Sequence, residues 1–234
     1  MFELRGVSAG YGDTTVVRDV SLWVPAGSVV ALLGANGAGK TTLLRAASGL
    51  LPAQGRIRLD GHELGGAAAQ EFARAGVCHV PEGRGIFPSL SVRDNILLNA
   101  GPRPPADALE RAVTAFPILG ERLDQRAGTL SGGQQQMLAL TRAYVTTPRV
   151  VLVDEVSLGL APVVVDGIYE QLGRIAAGGA ALLLVEQYVT RALQIADYVF
   201  VLQRGRLRFA GEPSELDAEE VLGGYLGVTA EAPG

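Results

Sequence analysis

The chain has 234 residues and a 48% hydrophobic content, enough to bury one large core or two lobes. Its formal net charge of −4 does not indicate the basic surface that nucleic-acid binding requires, so no nucleic-acid partner is expected. The single cysteine, Cys78, excludes an internal disulfide and is typical of a reducing compartment. No apolar stretch approaches the ~18 residues that a membrane-spanning helix needs, and residues 1–6 lack the apolar core of a signal peptide. The sequence therefore predicts a cytosolic protein.

The first part of the chain reads as short strands joined by glycine turns. Residues 2–7 are predicted to form an edge strand, and residues 16–24 alternate well enough for one or two more. The apolar, β-branched run Val29–Leu33 has the composition of a buried parallel strand. A helix is predicted over residues 42–47, because Gly49 and then a proline end its apolar pattern.

Later in the chain the pattern turns from strands to helices and back again. Residues 87–146 carry helix signals almost throughout, so we expect a helical lobe inserted into an α/β core made of residues 1–86 and 147–234. Further elements are predicted at residues 150–155, 162–176, 180–185, 197–203 and 207–210, with a short acidic helix at 214–225. Strands alternating with helices predict one α/β domain with a mainly parallel sheet.

The stretch between the strand Val29–Leu33 and the next helix fits G-x-x-x-x-G-K-[ST], the phosphate-binding loop. Its glycines let the backbone wrap closely around a phosphate, and the following helix adds its positive N-terminal end. Lys40 is placed to reach the β and γ phosphates, and the Thr41 hydroxyl to bind Mg²⁺. The predicted nucleotide-binding residues are Gly34, Ala35, Asn36, Gly37, Ala38, Gly39, Lys40, Thr41 and Thr42.

Two adjacent carboxylates end the buried strand that begins at Val150. Asp154, at the carboxyl end of a parallel strand beside the phosphate loop, is placed to hold Mg²⁺ through water. Glu155 is placed to orient or deprotonate a water. A pair of N-cap residues for the next helix is the competing interpretation.

Two further features could contact a nucleotide. Tyr11, an aromatic in a glycine turn, could stack on adenine or simply pack against its own hairpin. A second helix N-terminus could bind an anion or be an ordinary serine-capped start, and its residues are Ser131, Gly132, Gly133 and Gln134.

In order and spacing, these motifs resemble the ATP-binding subunit of an ABC transporter over nearly the whole chain. Residues 34–42 look like Walker A, residues 130–134 like the ABC signature, and residues 150–155 like Walker B followed by the catalytic glutamate. Tyr11 occupies the position of the adenine-stacking aromatic. The resemblance implies a P-loop NTPase core of the RecA-like type, with an N-terminal antiparallel β part and an inserted helical lobe.

Finer features are similar to one of the two ATPase subunits of branched-chain amino acid importers. Glu82 falls where most relatives carry the Q-loop glutamine, and Gln187 where most carry the switch histidine. Both replacements are customary in that subfamily, as is the stretch 157–162. The chain departs from the usual pattern at Val156 and Ala161, where relatives carry proline and aspartate.

The resemblance implies a head-to-tail dimer with ATP held between Walker A of one subunit and the signature of the other. Glu155 would handle the attacking water, and the implied Mg²⁺ ligands are Thr41, Asp154 and Glu82. Gln187 can donate a hydrogen bond but cannot titrate as histidine does, so we expect slow hydrolysis at sites built on this chain alone. A heterodimer with a second ATPase subunit is therefore the expected working form, with a homodimer as a less active one.

The other implied partners are transmembrane permease subunits and, indirectly, a periplasmic or lipoprotein solute-binding protein. The implied location is peripheral, on the inner face of the plasma membrane. The alternatives are a urea or amide importer, an export-type cassette, and a soluble ABC ATPase. A phosphate-loop kinase gives no reason for residues 130–134, and the chain lacks the heptads of chromosome-organising ATPases.

Overall fold

The computed structural model describes residues 1–83, 85–101, 103–186 and 189–216. Gln187 and most of the predicted helix at 214–225 lie outside the described residues. The strands are β1 (Phe2–Tyr11), β2 (Thr14–Val24), β3 (Val29–Leu33), β4 (Ala53–Leu59), β5 (His62–Glu63), β6 (Val77–Val80), β7 (Val150–Asp154), β8 (Ala181–Glu186), β9 (Tyr198–Gln203) and β10 (Arg206–Gly211). The helices are α1 (Lys40–Ala47), α2 (Ala69–Ala75), α3 (Val92–Leu98), α4 (Pro105–Ala115), α5 (Pro117–Gly120), α6 (Gly132–Thr146), α7 (Pro162–Ala177) and α8 (Val189–Ile195), with 3₁₀ turns at Ala127–Thr129 and Pro213–Glu215.

The first sheet has four strands in the order β2–β1–β4–β5. β1 pairs antiparallel with β2 on one side and with β4 on the other. The prediction of an edge strand at residues 2–7 is therefore wrong. The burial of Phe2 and Leu4 shows that one face of β1 packs on the core. Such alternation does not reveal whether a strand has one neighbour in the sheet or two.

The second sheet has six strands in the order β10–β9–β3–β8–β7–β6. All neighbours in it are parallel except β10, which runs antiparallel to β9. β3, β7 and β8 are buried along their whole length, which explains their continuous apolar sequences. The α/β fold with a mainly parallel sheet is thus confirmed.

The register of this sheet brings three strand ends to one edge. Leu33 on β3 lies opposite Glu186 on β8, and Asp154 on β7 lies opposite Val185. The loops that follow these strands therefore leave the sheet side by side, where ligands bind in open parallel sheets.

Four helices, α3 to α6, occupy the chain between β6 and β7. They share one apolar cluster with β3 and α7, to which α3 contributes Val92 and Ile96. The helical content predicted for this stretch is confirmed, while its separation as a lobe at residues 87–146 stays a prediction. The sequence does not predict α8, because no Ser, Thr, Asp or Asn directly precedes Val189 to signal the start of a helix. Within the described residues, no helix combines the length and apolarity that crossing a bilayer requires.

Candidate functional site

The loop between β3 and α1 has the backbone that its glycines allow. Gly37 and Gly39 have φ of 77° and 107°, in the left-handed region that side chains rarely adopt. A Cβ on Gly34 would lie 2.4 Å from the carbonyl oxygen of Leu202 on β9. The motif's glycines thus serve both the turn and its close approach to the neighbouring strand.

Lys40, the first residue of α1, points back into this loop and is only 4% exposed. Its Nζ donates hydrogen bonds to the carbonyl oxygens of Gly34, at 2.7 Å, and Ala35, at 3.3 Å. It also lies 3.2 Å from Oε1 of Glu155. The ammonium group is therefore fixed at the mouth of the loop, beside the predicted catalytic glutamate.

Thr41 and Asp154 meet at the next position along the cleft. The Thr41 hydroxyl donates to Asp154 Oδ1 over 3.3 Å, while Asp154 Oδ2 is buried without a hydrogen-bond partner in the described part of the chain. Burial raises the pKa of Asp154 to about 6, and the negative charges of Glu155 and Glu82 add to this shift, against the hydrogen bond from Thr41 and the charge of Lys40.

A magnesium ion fits this donor set. The orphaned Asp154 Oδ2 would gain a partner, and carboxylate and hydroxyl oxygens are ligands that Mg²⁺ prefers. The described residues contain no group of three or more His, Cys, Asp or Glu side chains arranged to hold a metal. Mg²⁺ in phosphate-binding sites usually takes one or two carboxylates and completes its shell with phosphates and water.

Glu155 follows β7 with φ of 46°, a left-handed conformation that is strained for a residue with a side chain. Its backbone N–H donates to the carbonyl oxygen of Val185 at 3.0 Å. Non-glycine residues in this region cluster at functional sites, because the surroundings must hold them there.

Lys40, Thr41 and Glu155 line one cleft of about 360 Å³, together with Glu82. The structure thus brings together the predicted phosphate loop, the carboxylate Glu155 and the predicted Q-loop position. Two lining residues for which the sequence predicts no contact with the nucleotide are Val16 and Leu158. The full lining is Val16, Asn36, Gly37, Gly39, Lys40, Thr41, Thr42, Glu82, Glu155 and Leu158.

Tyr11 is not among the residues that line this cleft. It is 45% exposed and lines a neighbouring groove of about 550 Å³ with residues of β1, β2 and the start of β4. Its hydroxyl accepts a hydrogen bond of 3.0 Å from Arg45 Nη1 on α1. The ring is therefore tied to the helix that carries Lys40 rather than buried in its own hairpin.

The segment from Ser131 to Gln134 caps α6 and lies away from the cleft of its own chain. Ser131 Oγ accepts from the Gln134 N–H at 3.3 Å, and Gln134 Oε1 accepts from the Ser131 N–H at 3.1 Å. This reciprocal pair is a capping box. A Cβ on Gly133 would lie 2.6 Å from a methyl group of Val164, so α6 and α7 pack closely there.

Arg142 is a site residue that the sequence gives no reason to choose. It projects from α6 and donates to the carbonyl oxygens of His79, at 2.9 Å, and Gly85, at 2.6 Å. It thereby ties α6 to the segment that carries Glu82. An arginine inside a helix pattern is usually solvent-exposed, so the pairing appears only in three dimensions.

A family model described as "ABC transporter" matches residues 17–157. The chain is 41% identical over 211 residues to the high-affinity branched-chain amino acid transport ATP-binding protein BraG of Pseudomonas aeruginosa, covering 88% of this chain and 91% of the relative. It is 33% identical over 215 residues to the probable branched-chain amino acid transport ATP-binding protein LivF of Archaeoglobus fulgidus, covering 90% and 91%. A solved structure of an ATP-binding subunit of an ABC transporter superposes with a TM-score of 0.81 at 26% identity, covering 99% of this chain and 95% of that one.

The fold and the cleft define a P-loop ATPase of the cassette type. The chain belongs to the ATP-binding proteins of ABC transporters, a family that hydrolyses ATP in transport and works with transmembrane permease components. The resemblance inferred from the motifs is thereby confirmed.

Proposed function

We propose that this chain is the Mg²⁺-dependent ATPase subunit of an importer for branched-chain or other hydrophobic amino acids. The observation that carries the ATPase role is the meeting of Lys40, Thr41 and Glu155 in one cleft, with the buried Asp154 hydrogen-bonded to Thr41. The assignment of an amino acid substrate rests on the sequence similarity to BraG and LivF, at 41% and 33% identity over most of the chain.

In this proposal the loop from Gly34 to Thr42 binds the phosphates, with Lys40 as its cation. The bound phosphate and Glu155 then compete for the ammonium group of Lys40, which lies 3.2 Å from the Glu155 carboxylate. Thr41, Asp154 and Glu82 would hold Mg²⁺, which when bound neutralises charge on the β and γ phosphates. Glu155, released from Lys40, orients the water and accepts its proton.

Tyr11 would offer its ring to adenine from the groove formed by β1, β2 and the start of β4, in the orientation that Arg45 supports. The segment from Ser131 to Gln134 lies outside the cleft of its own chain. As the family resemblance implies, it would serve the ATP bound to the partner subunit. By its position in the sequence, Gln187 would take the switch role with a neutral amide, and hydrolysis by a homodimer would be slow for that reason.

The proposed working assembly pairs this chain with a second ATPase subunit on two permease subunits, with a solute-binding protein delivering the substrate. The chain would then sit peripherally on the inner face of the plasma membrane. Residues 87–146 would act as the helical lobe of a single domain that meets the permease.

The test is ATP hydrolysis by the purified chain, alone and with its second ATPase subunit. Glu155→Gln keeps the shape of the side chain but removes the base, so ATP binding should persist while hydrolysis slows by ~10² or more. Hydrolysis that is unchanged in Glu155→Gln would contradict the assigned chemistry.

The transported solute needs the intact complex. When the chain is reconstituted with the permease and the binding protein, the ATPase activity of the complex should rise on addition of leucine, isoleucine or valine. Stimulation by urea or an amide alone would assign the complex to that neighbouring class of importer. No stimulation by any added solute would argue for an export-type cassette.

A further inference from the structure

A buried polar contact lies directly behind the catalytic glutamate. Ser157 Oγ donates a hydrogen bond of 2.8 Å to Oε2 of Glu186, and both residues are 1% exposed. Buried carboxyl groups are costly to desolvate, and a short aliphatic side chain would pack at the end of β8 without that cost. The cost of burying the Glu186 carboxyl group indicates that its hydrogen bond serves more than packing.

The end of β8 contacts the segment after β7 at two positions, Glu155 itself and Ser157. The carbonyl oxygen of Val185 accepts from the Glu155 N–H at 3.0 Å. Downstream, Glu186 accepts from the Ser157 hydroxyl. The two hydrogen bonds hold the short stretch 155–157 against the last two residues of β8.

That stretch contains the strained backbone of the site. Glu155 has φ of 46°, which an L-residue keeps only when its surroundings over-determine it. The main-chain bond to Val185 fixes one end of the stretch, and the bond between Ser157 and Glu186 fixes the other. Val156 between them is 2% exposed and packs in the core.

We propose that Ser157 and Glu186 are positioning residues, which hold Glu155 in its left-handed conformation and so aim its carboxylate into the cleft. The inference rests on the ATPase function proposed above. Glu186 also directly precedes Gln187 in the sequence, so the same side chain links the catalytic glutamate to the strand that delivers the switch position.

Tyr169 on α7 extends the contact to a third element. Its hydroxyl is buried and lacks a hydrogen bond of good geometry, but Glu186 and Ser157 both lie close enough to act on it. Burial raises the pKa of Tyr169, and the charge of Glu186 raises it further, so the phenol stays a neutral donor beside the carboxyl group.

The experiment measures single-turnover ATP hydrolysis and ATP affinity for Ser157→Ala in two backgrounds, wild type and Glu155→Gln. In the wild-type background the rate should fall at least about 10-fold with ATP affinity unchanged, since a small misplacement of a catalytic group has effects of this size. In the Glu155→Gln background Ser157→Ala should change the residual rate less than 2-fold, because the group that it positions is already disabled.

Glu186→Gln is the second variant, because it keeps an acceptor oxygen for Ser157 and the shape of the side chain. It should retain more activity than Ser157→Ala. Tyr169→Phe and Tyr144→Phe form a matched pair: the Tyr144 hydroxyl bonds to the Gln171 side chain and backbone on α7, at 2.7 and 3.0 Å, away from the cleft. Only Tyr169→Phe should lower the hydrolysis rate.

Equal rate losses from Ser157→Ala in both backgrounds would overturn the inference, as would wild-type rates in both Ser157→Ala and Glu186→Gln. A loss of thermal stability with an unchanged rate would reduce the pair to a packing role and also overturn it. Failure of the proposed function looks different, since wild type itself would then show no hydrolysis above that of Glu155→Gln.

Discussion

The Nζ atom of Lys40 lies 3.2 Å from Oε1 of Glu155, so one cation faces both the phosphate loop and the carboxylate that is proposed to activate water. Lys40 can therefore pair either with Glu155 or with a bound phosphate. In the proposed function, phosphate binding would draw Lys40 away from Glu155, and this would free the carboxylate to act on the attacking water.

Lys40→Ala should raise the Kd for ATP by about 30- to 150-fold, which corresponds to about 2–3 kcal/mol for a charged hydrogen-bond donor. It should also cost about 2 kcal/mol of unfolding free energy, because Glu155 keeps its charge and loses its partner. Calorimetric titration with ATP and urea unfolding measure the two effects.

The double variant Lys40→Ala with Glu155→Gln separates these effects. Unfolding free energy should recover in it, since no unpaired charge remains, while ATP binding stays weak. If ATP binding recovers as well, Lys40 does not act on phosphate directly and the loop assignment fails.

Tyr11→Ala should weaken ATP binding by ~1 kcal/mol, while Tyr11→Phe keeps the stacking ring and loses only the hydrogen bond from Arg45. Inorganic tripolyphosphate has no base to stack, so its affinity should be the same for wild type and both variants. Competition binding measures all six values. A parallel loss of tripolyphosphate binding in Tyr11→Ala would mean that the loop, not stacking, was disturbed.

Arg142→Met should raise the Mg²⁺ concentration for half-maximal hydrolysis about 10-fold, because outer-shell contacts tune metal affinity by such factors. Its two carbonyl partners, at His79 and Gly85, flank Glu82 in the sequence. The readout is ATPase activity against Mg²⁺ concentration at saturating ATP.

Arg103→Met is the matched control. Arg103 likewise donates to a backbone carbonyl, that of Val145 at 2.7 Å, but belongs to a different loop. Both variants should lose about 1–2 kcal/mol of unfolding free energy, with the Mg²⁺ effect confined to Arg142→Met. Equal shifts in Mg²⁺ dependence would remove Arg142 from the site.

His79→Gln should make the protein less sensitive to acid. Burial lowers the pKa of His79 from its ordinary 6.5 to about 4, with Arg142 and Arg45 adding to the shift. The unfolded chain therefore binds this proton more strongly, and wild-type stability falls as the pH drops from 6.5 towards 4. Between pH 7 and pH 5 this one group costs wild type about 2 kcal/mol.

Urea unfolding at both pH values measures the effect as a difference between wild type and variant, which cancels the carboxyl groups common to both. His62, exposed on β5, supplies the control His62→Gln. The assignment fails if the two variants lose the same stability on acidification.

The sequence predicts best what depends on neighbours along the chain. The phosphate loop was recognisable because Val29–Leu33 is continuously apolar and the glycines follow at fixed spacing. The same local pattern predicts Asp154 and Glu155 at a strand end, where the structure has them. Local pattern and the rule for parallel strand ends were sufficient there.

Pairings across the sheet could not be predicted in this way. Ser157 meets Glu186 only because β7 and β8 are adjacent and in a particular register, which strand order sets and local sequence does not. The same limit explains the wrong edge assignment for residues 2–7, whose second neighbour arrives with β4. Arg142 reached the segment of Glu82 through tertiary packing alone.

Lys40 is the only lysine in the chain, and all other side-chain cations with a fixed charge are arginines. Enzymatic acetylation, which silences lysine charges, thus has no surface lysine to act on, and the guanidinium groups keep their charge at any physiological pH. Because Lys40 is 4% exposed and lies in the cleft, acylation of a side-chain amine could modify only the lysine of the phosphate loop. Among side-chain amines, amine-reactive reagents followed by peptide mass mapping would therefore report the occupancy of a single atom, Nζ of Lys40, with nucleotide acting as the protecting group.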